Sequence, residues 1–385
     1  MSESPSDPGH RCSLKSRQIG FVVLTFGLSR LLIFSAIAVS PWFITPSTGP
    51  GLWNLDDSLL RPLFRWDAGW YLTVAKDGYK YTGDPTKEHN IVFFPLYPLT
   101  CRLCHVLTGL SIPLCAFILS NIAFLGALIA LDVLITRELG PKAARCAILL
   151  LAFFPSSFFF STMYTESFFL LFSVLAYLRF REQRFIAGGI WSGLASATRM
   201  PGFLLGIPLL FEGFPYLRDR QRWWHVILAG CLAISGFLVF QLYLWAVFGD
   251  PLANFRVQRY SIWQREFALP FRSIAWGLSQ TLFPRFSPLP FDAGFALLFI
   301  PLIAALPFYL PKSYAVYALL NLVIPLFTTA GINSFTRYAS VIFPVFMLLG
   351  VIGSRWRWTM WALLVGFGIL LVVFSMHYAQ WHWAG

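Results

Sequence analysis

Apolar stretches about as long as a bilayer crossing recur along this chain, the first from Ile19 to about Ser40, and they leave few folds open to it. In hydrocarbon every backbone N–H and C=O must be paired internally, so such stretches fold as helices packed into a bundle. Only 12% of the 385 residues are charged, about half the share usual in soluble domains, which excludes an ordinary globular protein. The 18% aromatic content, with 40 Phe and 15 Trp, suits lipid-facing helices and interfacial belts. There are 29 basic and 17 acidic residues, a formal net charge of +12. Loop charges that orient helices account for this excess, and no nucleic-acid partner is expected. The six cysteines are scattered and mostly inside apolar runs, so no disulfide framework is implied.

Charge also orients the chain. Arg11, Lys15 and Arg17 precede the first span, which lacks a small-residue cleavage site and is expected to stay as an anchor with a cytoplasmic N-terminus. Residues 1–18 are expected to be a disordered cytoplasmic tail and 19–385 a single integral-membrane domain. The spans predict an all-α polytopic bundle of about 11 transmembrane helices. Residues 41–113 form a first extracytoplasmic loop with juxtamembrane helices, and 249–290 a second long one. If the amphipathic stretch to about Gly109 does not cross, Leu114–Ile135 runs inward and Arg137, Lys142 and Arg145 fall inside. The basic groups at 179–184, 218–222, Lys312 and 355–357 then fall inside too. The second long loop is the exception, since it carries Arg256, Arg259, Arg265, Arg272 and Arg285 outside. Those arginines meet either an anion or lipid head groups.

The most polar and aromatic passage is Phe64-Arg65-Trp66-Asp67-Ala68-Gly69-Trp70-Tyr71-Leu72, running on to Gly78-Tyr79. From Trp66 it reads as a short helix, with Trp66, Trp70 and Val74 on one face and Gly78 as its C-cap. Asp67 lies in or just before the first turn. It is either a cap for a backbone N–H or a catalytic carboxylate on the rim of a membrane cavity. Few other ionisable groups interrupt the apolar runs. Glu166 in Tyr164-Thr165-Glu166-Ser167, Arg199 in Thr198-Arg199-Met200-Pro201-Gly202, and Arg337 in Thr336-Arg337-Tyr338 all map to outer turns beside Asp67. Such groups usually face a protein interior or a watery cavity. A helix cap for Glu166 and interfacial snorkelling for the arginines are the alternatives. Cys101-Arg102-Leu103-Cys104-His105 matches the c-type haem pattern but lies in an apolar helix-like stretch without haem-domain surroundings. No nucleotide-binding fingerprint occurs.

These motifs together resemble the PIG-V family. They comprise Arg65-Trp66-Asp67-Ala68-Gly69-Trp70-Tyr71 with Gly78-Tyr79, Phe93-Phe94-Pro95-Leu96-Tyr97-Pro98, Tyr164-Thr165-Glu166-Ser167, Ala197-Thr198-Arg199-x-Pro201-Gly202, and Arg337-Tyr338 with Phe343-Pro344. The similarity covers about 20 to 350, and its length and loop sizes are closer to prokaryotic members. It implies a GT-C membrane glycosyltransferase, mannosyltransferase-like and inverting, that takes sugar from a polyprenyl-phosphate donor at the extracytoplasmic face. It implies Asp67 as the catalytic group. Arg65, Trp66, Trp70, Tyr97, Glu166, Arg199, Arg337 and Tyr338 are the expected substrate-binding residues. The acceptor is an unspecified glycan or lipid, no metal or other cofactor is expected, and the membrane is the plasma membrane of a prokaryote or the endoplasmic reticulum of a eukaryote.

The chemistry agrees with this. Transfer to a hydroxyl needs a base as the anomeric carbon becomes oxocarbenium-like, which suits Asp67. The departing phosphate needs cations in place, which suits Arg199 and Arg337. A transporter or flippase for lipid-linked or anionic solutes is the alternative, yet no internal repeat is evident and the polar residues collect at one face. A non-catalytic scaffold is a third reading.

Overall fold

A computed structural model of the chain describes residues 8–47, 60–263, 265–280, 287–328 and 332–384, with side chains from residue 16. Residues 1–7 of the expected tail, Asp56 and Asp57 of the first loop, and Arg285 of the second lie outside the described residues. The helices in order are α1 (Pro8–Phe43), α2 (Asp67–Asp77), α3 (Leu96–Thr108), α4 (Ile112–Leu139), α5 (Pro141–Ala152), α6 (Glu166–Arg181), α7 (Phe185–Ser196) and α8 (Gly206–Gly213). They continue with α9 (Trp223–Phe248), α10 (Ala253–Tyr260), α11 (Pro270–Ser279), α12 (Leu289–Ala305), α13 (Lys312–Leu326), α14 (Phe335–Ala339), α15 (Phe343–Arg355) and α16 (Arg357–Ala379). Because α1 starts at Pro8, residues 8–18 are helical rather than a disordered tail.

Six segments among the described residues are long and apolar enough to cross a bilayer: Ser16–Phe43, Ile112–Leu139, Met200–Arg218, Trp223–Phe248, Leu289–Phe308 and Arg357–Ala379. A count of eleven crossings is reached only by adding the shorter α5, α6, α7, α13 and α15. The amphipathic α3 is a separate 13-residue helix. It ends at Gly109, whose left-handed φ of 72° lets its N–H reach the His105 carbonyl at 2.8 Å. Ser111 and Pro113 then start α4, the Ser111 hydroxyl accepting the Leu114 N–H.

Small residues let the helices close up. A Cβ on Gly189 would stand 2.6 Å from the Ala229 Cα, and one on Gly193 2.5 Å from the Leu232 carbonyl oxygen, so α7 and α9 touch backbone to backbone. Gly350 of α15 lies equally close to α5, at the Ala143 carbonyl. Arg30 is among the charged residues buried in the bundle. Arg30 of α1 donates to the Ser157 carbonyl and the Ser161 hydroxyl, both at 2.9 Å, pinning α1 to the 3-10 turn Ser157–Ser161.

The bundle has two unlike ends. At one, Arg137 and Arg179 pair with Glu182, and Arg181 bridges Glu138 and Glu212. At the other, the first loop meets the second: Trp70 packs on Trp263 with ring centroids 6.0 Å apart. The starts of α6 and α14 and the turn after α7 lie at that same end.

Candidate active site

The passage before α2 is held by two buried phenols. Tyr378 of α16 donates toward the Leu63 and Arg65 carbonyls and accepts the Arg65 N–H. Tyr164 donates to the Arg65 carbonyl and accepts the Asp67 N–H at 3.2 Å. Arg65 itself turns away, its guanidinium donating to the Ala379 carbonyl at 3.0 Å and lying over Trp381. Trp66 takes φ 55°, a left-handed backbone uncommon for such a residue. That turn sets Asp67 as the first residue of α2. Its carboxylate caps no N–H among the described residues. Instead Asp67 Oδ2 faces Arg337 Nη1 at 3.3 Å.

Arg337 joins two carboxylates. Its Nε lies 3.5 Å from Glu166 Oε1, and the same oxygen accepts from Arg199 Nη1 at 3.0 Å. The Glu166 side chain is 2% exposed and the Asp67 side chain 29%, so Asp67 is the carboxylate an incoming group can touch. A second ring of contacts centres on Tyr338. Its hydroxyl accepts from Arg265 Nη2 at 2.8 Å and from Arg337 Nη2 at 3.1 Å, and Arg199 lies over its ring. Burial pushes the phenol's pKa up, but the guanidiniums of Arg265, Arg337 and Arg199 outweigh it and bring it down to about 8. Burial likewise works against the Arg337 charge, and Tyr338, Glu166 and Asp67 hold its pKa above the ordinary value.

A buried carboxylate that sequence reasoning missed places Arg337. Asp292, in the first turn of α12, accepts the Ser334 N–H at 3.1 Å and the Thr336 N–H at 2.6 Å. Its only sequence signal is an acid opening an apolar span. Arg265 was legible only as one of several outer arginines; nothing in its local sequence separates it from Arg256 or Arg259.

Asp67, Glu166, Arg199, Arg337 and Tyr338 therefore share one cleft with Tyr71, Tyr164 and Arg265. Its atom-free space, open mouth included, is ≈ 910 Å³. Arg65, Trp66, Trp70 and Tyr97, expected to bind substrate, do not line it. Trp66 packs edge-on against Trp381 and Trp383, Trp70 stacks on Phe93, and the Tyr97 hydroxyl pairs with Ser120 at 2.7 Å. They buttress the cleft from behind. The Cys-x-x-Cys-His stretch lies on α3, outside the cleft. Cys101 is fully buried and His105 Nδ1 meets the Leu110 carbonyl at 2.6 Å. Among the described residues no group of three or more His, Cys, Asp or Glu is placed to hold a metal ion.

Known proteins share this chain's features. The sequence profile described as Mannosyltransferase (PIG-V) matches residues 33–254. GPI alpha-1,6-mannosyltransferase 2 of Rattus norvegicus is 32% identical over 180 residues, 44% of this chain and 35% of that protein. GPI mannosyltransferase 2 of Yarrowia lipolytica is 27% identical over 231 residues, 59% of this chain and 61% of that protein. The chain thus spans about a third of the length of the rat relative. Among solved structures, ArnT from Cupriavidus metallidurans bound to undecaprenyl phosphate matches with a TM-score of 0.52 at 17% identity, covering 91% of this chain and 63% of that one. This is a likeness of fold, and it extends over 91% of this chain.

Proposed function

The chain belongs to the mannosyltransferase (PIG-V) family, and on that premise we propose that it moves a hexose, mannose by family, from a polyprenyl-phosphate donor to an acceptor hydroxyl at the extracytoplasmic face. The observation that carries this reading is the division of charge in one cleft. An accessible carboxylate, Asp67, stands beside three guanidiniums gathered around the Tyr338 hydroxyl and the buried Glu166.

In the proposed step the acceptor hydroxyl loses its proton to an Asp67 oxygen as its own oxygen bonds to the anomeric carbon. The bond from that carbon to the donor phosphate breaks on the opposite side, which inverts the centre. The charge that builds on the departing polyprenyl phosphate is met by Arg199, Arg265 and Arg337, already fixed by Glu166 and Tyr338. Arg337 links the two halves of the reaction. As phosphate draws on its guanidinium, its hold on Asp67 weakens and the carboxylate gains basicity.

Reconstituted protein given polyprenyl-phosphate mannose and a membrane-lipid extract tests this. The expected result is release of polyprenyl phosphate with the sugar appearing on an acceptor. Movement of the intact donor across the bilayer, with no sugar–phosphate bond broken, would establish the transporter reading instead.

A further inference from the structure

The three guanidiniums explain how a phosphate is held but not how a sugar is chosen, since they would serve a bare lipid phosphate equally well. Three other residues lining the same cleft take no part in the step above: Gln258, Trp263 and Asn321. Asn321 of α13 is 6% exposed. Its amide nitrogen donates to the Tyr317 carbonyl at 2.9 Å, while its oxygen has no partner among the described residues. That oxygen opens on the cleft, where a donor from an incoming group can reach it. Gln258 of α10 is tied by its backbone to the cation site, its carbonyl accepting the Arg265 N–H at 2.9 Å. Its side-chain amide has no partner among the described residues. Trp263 is wedged upright, Phe93 meeting its ring edge-on at 6.0 Å and Trp70 tilting against it at the same distance.

We propose that Trp263, Gln258 and Asn321 form the hexose subsite of this cleft, a reading that rests on the lipid-phosphate sugar donor proposed above. A pyranose has an apolar C–H face, which suits a fixed indole. Its hydroxyls are donors and acceptors on a rigid ring, which suits two amides on different helices. The subsite adjoins the phosphate cations because Trp263 and Arg265 follow within seven residues of Gln258, near the end of α10. Asn321 closes it from α13. The subsite therefore recognises the sugar, and the arginines recognise the phosphate.

The test compares affinities of the full-length detergent-solubilised protein for two probes, citronellyl phosphate and citronellyl phosphate mannose. Wild-type protein is expected to bind the mannose-loaded probe more tightly than the bare one. In Asn321→Leu, Gln258→Leu and Trp263→Ala the affinity for bare citronellyl phosphate holds, showing a folded cation site. The mannose-loaded probe weakens in each by roughly tenfold or more, as unpaired polar groups and lost packing require. Gln258, half-buried where Asn321 is buried, guards against loss of fold in Asn321→Leu. Variants that keep the full mannose preference overturn the subsite, and so does wild-type protein that binds both probes equally. Protein that prefers the mannose-loaded probe, and loses that preference in the variants, yet transfers no sugar retains the subsite and overturns only the transferase reading. Protein that binds neither probe overturns both.

Discussion

Arg337 touches Asp67, Glu166 and the Tyr338 hydroxyl at once, so a change at any of them is felt by the others. Replacing it outright strips Asp67 and Glu166 of a counter-ion, and breaking such a buried pair costs about 3–5 kcal/mol. Arg199 is the cleaner probe, because Glu166 keeps Arg337 when Arg199 is changed. Arg199→Gln is expected to raise the KM for a lipid-phosphate donor more than tenfold, about the size of losing one charge-assisted hydrogen bond, with thermal stability little altered. Steady-state kinetics at varied donor concentration measures it. Tyr338 gives a second test. Its phenol titrates near 8 in the fold, against about 10 in an unfolded chain. The folded pKa is the lower one, so the ionised form stabilises the fold. That contribution is complete above about pH 10 and is lost as pH falls through 8. Ultraviolet titration of the protein should show one phenol ionising near pH 8, and Tyr338→Phe should remove it. A titration curve unchanged in Tyr338→Phe would show that the three guanidiniums do not act on this phenol.

At the scale of elements, α7 and α9 decide where Arg199 stands. A Cβ on Gly236 would lie 2.2 Å from the Gly193 carbonyl oxygen and 2.6 Å from the Ala197 nitrogen, two residues before Arg199. Gly236→Ala and Gly193→Ala are therefore expected to destabilise by about 1–3 kcal/mol through overpacking and to lower donor affinity with it. Gly20→Ala and Gly27→Ala on α1, where a Cβ meets nothing within 4 Å, should leave both unchanged. Thermal unfolding in detergent reads the difference. The outer elements differ in how far their sequence announced them. The helix after Trp66 was legible from its aromatic face and Gly78, and the amphipathic α3 from Arg102 and His105 interrupting an apolar run. The left-handed turn at Trp66, which aims Asp67 at Arg337, has no glycine to mark it. The Asp292 clamp on α14 joins residues more than forty apart, and one sequence holds no trace of that pairing.

For the whole molecule, the cleft joins halves that sequence similarity treats unequally. The family profile ends at 254, whereas Arg265, Arg337 and Tyr338 lie beyond it. The second half was readable as a place where outer arginines would meet either an anion or lipid head groups. That Arg265 in particular would reach Tyr338 required the tertiary fold. The two long loops meeting at one end of the bundle predicts a shared exposure. In a cysteine-free background, single cysteines at Asp84 and Arg259 should react with the same membrane-impermeant reagent applied from outside. Opposite accessibility would break the proposed topology and the site with it. If Asp67 is the base, turnover by Asp67→Asn reveals it. Asn keeps an oxygen for Arg337 Nη1, but it cannot take the acceptor's proton. Turnover of a polyprenyl-phosphate sugar should fall by about 10²–10⁴, with expression and thermal unfolding as in wild type and with Asp77→Asn and Asp84→Asn fully active. An Asp67→Asn protein that turns over donor at the wild-type rate would show that Asp67 is not the base.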